Sequence, residues 1–252
     1  MKLSVIGLGY IGLPTAAILA SKGLNVTGID ISEKVVKKIN QGEVHIVEPD
    51  LDNLVRVTTS EGNFTAHNEV IQSEVYIIAV PTPFKESHKP DMSFVEAAIL
   101  SLTDSLKKGD LIIIESTCPV GTTEKISLML SKLRPDLSFP DFKQEGKPDV
   151  SLVYCPERVL PGNIIQELVS NDRIIGGMTE YCSNKAYDVY KTFVKGECVI
   201  TDCRTAELSK LAENSFRDIN IAYANELSII SDELGINVRD LIKLANKHPR
   251  VN

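Results

Sequence analysis

Apolar residues along this chain fall into short, nearly continuous runs, separated by longer stretches with helical spacing. Leu3–Ile6, Asn25–Ile29, Val75–Val80, Leu111–Ile114 and Ser151–Cys155 read as strands, and the purely apolar ones among them as strands buried on both faces. Phe64–Ala66, Arg173–Ile175 and Cys198–Ile200 read as further short strands. Helices are expected from the N-cap Ser32 to Ile39, in a short stretch after Pro49, from Ser93 to Leu106 (Phe94, Ala97, Ala98 and Leu102 near helical spacing), from Gly121 to Leu133 and around Tyr181–Phe193. Strands alternating with helices imply parallel βαβ units, hence an α/β fold with a doubly wound parallel sheet. Ser138–Lys147 is polar and reads as a surface excursion, and Pro161-Gly162 reads as a break in the chain. Thr205–Leu234 holds neither Gly nor Pro, so it reads as one helix of roughly 45 Å at ~1.5 Å per residue. Helices of that length bridge domains or form subunit interfaces. Gly235 ends it, and a shorter helix follows at Val238–Asn246.

The first of these units carries the most specific pattern. Gly7, Gly9 and Gly12 form G-x-G-x-x-G between the first strand and an apolar helix at Ala16–Ala20, and Asp30 closes the second strand. In this order the first glycine permits the tight turn, the second lets backbone approach a pyrophosphate, and the third lets helix and strand pack closely. The helix N-terminus offers free N–H groups to the phosphates. Asp30 can accept from both ribose hydroxyls. Ile31 and Ser32 after it bring no Arg for a 2′-phosphate, which favours NAD over NADP. The uncharged stretch Leu3–Ser21 is borderline in length for a membrane span, but three glycines and Pro14 interrupt it. The expected division is a Rossmann-like NAD-binding domain over residues 1–200 and a helical domain over residues 201–252.

Composition narrows the partners. The chain has 252 residues and a net charge of −7, with no basic tract, which argues against nucleic acid or a membrane surface. Five cysteines, an odd number with no C-x-x-C pair and no secretory signal, point to reduced thiols in a cytoplasm. No metal-ligand spacing is present.

Candidate chemistry sits at strand ends and on the long helix. Thr82, Thr117 and Glu157 lie just beyond the carboxyl ends of successive strands, where open parallel sheets bind ligands. Taken singly, each threonine is more commonly a cap and Glu157 a surface acid; together they shift the reading toward a site. Lys210, Asn214 and Arg217 are spaced i, i+4, i+7 and share one helix face, suited to an anionic, hydroxyl-rich ligand. Leu208, Leu211 and Ile219 are expected to point into a core instead. Glu207, Glu213 and Asp218 nearby favour the plainer alternative, a solvated face with ordinary ion pairs.

At this point the motifs add up. G-L-G-Y-I-G-L-P, A-V-P-T-P, E-S-T-C-P-V-G-T-T, Y-C-P-E-R-V-L-P-G and K-L-A-E-N-S-F-R-D, in that order, resemble the NAD-dependent nucleotide-sugar 6-dehydrogenases of the UDP-glucose/GDP-mannose dehydrogenase family, over residues 3–252. The stretches at 45–51, 155–162 and 248–252 are most similar to members that oxidise UDP-N-acetyl-D-mannosamine, with UDP-N-acetylglucosamine and UDP-glucose as alternatives. Glucose-oxidising members carry a second acid where this chain has Pro161. The resemblance implies a Rossmann-like domain followed by a central helical domain like that of 6-phosphogluconate dehydrogenase. The length of the long helix and its Leu/Ile content point to a homodimer through it. It also implies oxidation of the sugar C6 alcohol to a carboxylate by two NAD, for surface polysaccharide precursors. Lys210 would be the acid/base near C6 or would stabilise developing alkoxide charge there. Asn214 would assist it, and Thr117 and Glu157 would position water and exchange protons. Tyr10, Ile11, Asp30, Thr82 and Thr117 would contact NAD, and Arg158, Val159, Arg217, His248 and Arg250 the nucleotide sugar.

One part of the family pattern is missing. The nucleophilic cysteine of the family lies in a G-G-H-C type motif after the stretch matching His248–Asn252, and none of the five cysteines here matches it. Cys118 and Cys155 read as small buried fillers. The chain therefore resembles the N-terminal portion of such an enzyme without its UDP-binding domain, and is expected to be inactive alone. A non-catalytic NAD-binding or association module is the alternative class.

Overall fold

The computed structural model describes residues 1–142 and 146–249. Residues 1–210 form one compact unit and residues 211–252 a second.

The first unit is built on eight strands: β1 Lys2–Ile6, β2 Asn25–Ile29, β3 Phe64–His67, β4 Val75–Ile78, β5 Leu111–Ile114, β6 Ser151–Tyr154, β7 Arg173–Gly177 and β8 Cys198–Asp202. Their order across the sheet is β3-β2-β1-β4-β5-β6-β7-β8. The first six are parallel, as the alternating pattern implies. β7 meets β6 antiparallel, and β8 runs parallel to β7, so the last two strands oppose the rest. The link between β6 and β7 carries α6 Ile164–Ser170, a helix of seven residues.

Helices α1 Gly12–Ser21, α2 Glu33–Asn40, α3 Leu51–Ser60, α6 and α7 Glu180–Tyr190 accompany one face; α4 Ser93–Leu102, α5 Thr122–Leu133 and the start of α8 Cys203–Glu233 accompany the other. Period-two alternation splits the central strands between the two cores. Val75 and Ile77 of β4 and Leu111 and Ile113 of β5 enter the first; Tyr76, Ile78, Ile112 and Ile114 enter the second. A strand covered on both sides has no polar face, which is why these segments appear as unbroken apolar runs.

Several local expectations change. α4 ends at Leu102 and tightens into a 3₁₀ turn at Thr103–Ser105. Ser32 takes the N-cap position of α2 without a side-chain capping bond. Pro161-Gly162 does not simply break the chain but opens α6. The cap is supplied from far away in sequence: the buried Glu48 carboxylate accepts from Gly162 N at 2.9 Å and Ile164 N at 2.7 Å. Glu207 forms no surface ion pair. It is buried and caps α5, accepting from Gly121 N (2.6 Å), Thr123 N (2.9 Å) and the Thr123 hydroxyl (2.7 Å).

In the second unit α8 continues to Glu233, turns at Gly235 with φ of 65°, and leads to α9 Val238–Ala245, capped by the Asn237 side chain on Arg239 N at 3.0 Å. Ile219 is 67% exposed, and Leu208, in the first unit, 57%, so neither enters a core as expected. Phe216, Ile219, Tyr223 and Ile230 are all exposed and fall within about 60° of one another around the helix, at ~100° per residue.

Candidate functional site

The site begins at the first turn. Gly7 has φ of 91°, and a Cβ on it would lie 2.7 Å from the Ala79 carbonyl oxygen. A Cβ on Gly12 would lie 1.8 Å from the Gly7 oxygen. Both positions therefore admit only glycine, and the β1–α1 turn is pressed against the end of β4. Above Gly9 the space is open, with nothing within 4 Å of where its Cβ would be. That is the cradle a pyrophosphate needs beside the N-terminus of α1. Tyr10 is exposed and Ile11 half-buried beside it.

Asp30, one residue past β2, is fixed by two backbone donors: Oδ2 accepts from Leu8 N at 3.0 Å and Oδ1 from Ser32 N at 2.9 Å. Each oxygen keeps a second lone pair, so the carboxylate is preset to receive ribose hydroxyls. Ile31, the next residue, is 92% exposed and brings no positive charge. The open turn, the helix end and this acid together fit an NAD diphosphate and adenosine ribose.

The second part is a cavity of about 240 Å³ beyond the carboxyl ends of β1, β4, β5 and β6, around the point where strand order reverses between β1 and β4. It is lined by Ile11, Thr82, Thr117, Glu157, Val159 and Lys210, together with Glu115 and Ser116. The sequence-predicted groups from three strand ends and the long helix thus meet in one place. At this volume, below the ~300 Å³ of a pocket for a drug-sized ligand, it takes a reacting end and not a whole dinucleotide. Ser116 closes its floor by donating to the carbonyls of Val80 (2.8 Å) and Ile78 (3.4 Å). The Lys210 ammonium donates to the Glu157 carbonyl oxygen, which ties α8 to the loop after β6.

Behind Glu157 lies a buried charge cluster that sequence reasoning missed. Arg173, at the start of β7, donates to Glu157 Oε2 at 2.5 Å, while Glu157 Oε1 accepts from Arg158 N at 2.7 Å. The same Arg173 nitrogen stands 3.8 Å from Glu115 Oε1, which accepts from the Tyr190 hydroxyl at 2.7 Å. Charged residues flanking apolar strands (Arg173 before I-I-G-G, Glu115 after L-I-I-I) were the only signal available.

Arg158 is exposed and reaches the Asp172 carbonyl at 3.5 Å. Asn214 and Arg217 lie in the second unit, where Arg217 donates to Asn214 Oδ1 at 3.2 Å. His248 is exposed there, and Arg250 lies outside the described residues. Cys118, Cys155, Cys182 and Cys203 are buried and Cys198 half-buried. Burial pushes the Cys118 and Cys155 thiols far up and that of Cys203 up to about 12, with Arg173 opposing the shift at Cys155 and carboxylates adding to it at all three. These are inert fillers, not thiolates. Among the described residues no group of His, Cys, Asp and Glu could hold a metal ion, and no helix is long and apolar enough to cross a membrane.

Comparison with known proteins gives the same architecture a family. The chain is 57% identical over 251 residues to the UDP-N-acetyl-D-mannosamine dehydrogenase of Escherichia coli strain K12, covering 99% of this chain and 59% of that protein. It is 56% identical over 250 residues to the NDP-N-acetyl-D-galactosaminuronic acid dehydrogenase of Ralstonia nicotianae, with the same coverage. The solved UDP-D-ManNAc dehydrogenase of Pyrococcus horikoshii superposes with a TM-score of 0.92 at 44% identity, over 99% of this chain and 58% of that one. The chain thus spans about 59% of the length of the curated relatives it matches. Residues 1–194 match the family's NAD binding domain and residues 204–252 its central domain, so NAD is the cofactor and the chain belongs to the UDP-glucose/GDP-mannose dehydrogenase family.

Proposed function

We propose that this chain holds the cofactor and the first-oxidation groups of a nucleotide-sugar 6-dehydrogenase, acting in a cytoplasm on UDP-N-acetyl-D-mannosamine. The observation that carries this is the cavity in which Thr82, Thr117, Glu157 and Lys210 converge beside the dinucleotide cradle. When bound there, NAD supplies the hydride acceptor. Lys210, half-buried and anchored on the Glu157 carbonyl, places a positive charge where the C6 oxygen becomes alkoxide-like as hydride leaves. Glu157, held by Arg173, accepts the alcohol proton, and Thr117 orients the hydroxyl or a water. Asn214, Arg217, His248 and Arg250 remain the residues that motif similarity nominates for the sugar nucleotide.

The relative at 56% identity is named for an N-acetylgalactosaminuronic acid, which supports a galacto-configured sugar as a second reading. Calorimetric titration of this protein with the two N-acetylated UDP sugars separates them.

A four-electron oxidation needs a thiolate to hold the aldehyde, and the buried cysteines here do not provide one. The purified 252-residue protein is therefore expected to bind NAD and to release no uronate from UDP-N-acetyl-D-mannosamine, assayed by mass spectrometry. Uronate from this protein alone would sink the reading of its thiols.

We also propose that residues 201–252 act as the association domain of a homodimer, with Phe216, Ile219, Tyr223 and Ile230 of α8 forming the seam. Sedimentation is expected to give a dimer at micromolar concentration and a monomer for I219E/Y223E. A wild-type monomer at that concentration would remove the proposal.

A further inference from the structure

The buried cluster behind Glu157 places two acids around one guanidinium. Arg173, Glu115 and Glu157 are 3%, 4% and 6% exposed. Two ionised carboxylates sharing one guanidinium in so enclosed a place are costly unless each oxygen is paired. Other charged and titratable groups face the cluster, among them Cys198 of β8, whose strand partner is Arg173, and Arg158, next to Glu157 in the chain. Tyr190 on α7 lies under Arg173, ring centroid 4.9 Å from the guanidinium carbon, and gives its hydroxyl proton to Glu115. Cys155 after β6 donates its thiol to the Ile174 carbonyl at 3.0 Å. Lys210, on α8, lines the same cavity and donates to the Glu157 backbone oxygen.

The two acids are not equivalent. Glu157 accepts at both oxygens, one of them directly from Arg173. Glu115 accepts only at Oε1, and its Oε2 is buried without a hydrogen-bond partner although the residue lines the cavity. An ionised carboxylate with an unpaired buried oxygen is the costliest arrangement available; a carboxylic acid there is not. We propose that Glu115 is a positioning residue for Glu157: the two carboxyl groups flank one Arg173 guanidinium and hold a single proton between them, on Glu115 at rest. The carboxyl of Glu115 is pushed up to about 7, first by burial, with Arg173 and Tyr190 opposing and Glu157 adding to the shift.

This rests on the reading that Glu157 takes the alcohol proton, and it supplies what that step needs. In an oxidation for which bound NAD would supply the hydride acceptor, the alcohol O–H would give its proton to Glu157, and Arg173 would lose its counter-charge. Glu115 then ionises to replace it, releasing its own proton into the cavity. The cluster keeps the same charge throughout, so no buried charge is created during turnover.

The test is an infrared difference titration of the 252-residue protein, which reads the carbonyl band of a protonated carboxyl directly. Asp110, whose carboxyl burial pushes up to about 6, titrates nearby, so the signal is taken as wild type minus E115Q. The expected result is one carboxyl with a midpoint near neutrality that is absent from E115Q. Its midpoint falls in E157Q by on the order of one unit or more, because a like charge is removed and Arg173 is freed. It rises in Y190F, where a donor to the ionised form is lost; this variant decides the matter should E115Q not fold. A neutral-range band that persists in E115Q, or a midpoint unmoved in E157Q and Y190F, overturns the proposal. Failure to oxidise any nucleotide sugar would leave this titration untouched, so the two ideas fail separately.

Discussion

Gly9→Ala is expected to weaken NAD binding by at least about tenfold, ~1.4 kcal/mol, while leaving the thermal midpoint unchanged. The reason is the contrast between neighbouring glycines. The Cβ added at Gly9 meets nothing within 4 Å, and its backbone is not in the left-handed region, so the folded apoprotein tolerates it. The same methyl points into the space a pyrophosphate must enter. Gly12→Ala is expected to lose both binding and stability, because its methyl would sit 1.8 Å from the Gly7 carbonyl oxygen and force the turn open. Calorimetric titration with NAD and a melting curve on each variant check both halves. Full NAD affinity in G9A would mean that the diphosphate does not lie over this turn.

Glu207→Ala is expected to cost about 3 kcal/mol or more of stability, lowering the melting temperature by roughly 6–12 °C. Its carboxylate satisfies two backbone N–H groups at the start of α5 and a threonine hydroxyl, all in a buried setting. Removing it leaves those donors without their partner. The exposed Glu226→Ala serves as the control, expected within about 0.5 kcal/mol of wild type. The consequence reaches function. The segment from Thr117 to Gly121 runs from the cavity wall to the capped helix end, so loosening α5 displaces Thr117 and weakens NAD binding as well. A melting temperature equal to that of the control would show that water or another group replaces the carboxylate.

What was legible in the sequence was whatever depends on neighbours along the chain. The strand β5 matches its expected limits because its apolar run ends where the sheet ends, and β2 matches because Asp30 closes it. The first turn was readable because its glycines, helix and terminal acid all lie within thirty residues. Thr82, Thr117 and Glu157 were readable as a group because strand ends converge in any parallel sheet.

What was not legible depends on partners far away. α6 was hidden because its cap is Glu48, 114 and 116 residues upstream of the N–H groups it holds. Glu207 looked like a surface acid because its partners, Gly121 and Thr123, are more than eighty residues away. Arg173, Glu115 and Tyr190 come from β7, the end of β5 and α7, and no periodicity links them. The reversal of β7 and β8 is likewise invisible to an apolar pattern, which has no direction.

Everything proposed for the site depends on the β1–α1 turn carrying the NAD diphosphate with Asp30 on its ribose. Crystals of the protein grown with NAD test it most directly. Density is expected for the diphosphate over Gly9, for ribose hydroxyls on the Asp30 carboxylate and for the nicotinamide entering the cavity beside Thr117 and Lys210. Cofactor bound anywhere else on the molecule, or cooperatively folded protein that takes up no NAD, would contradict it.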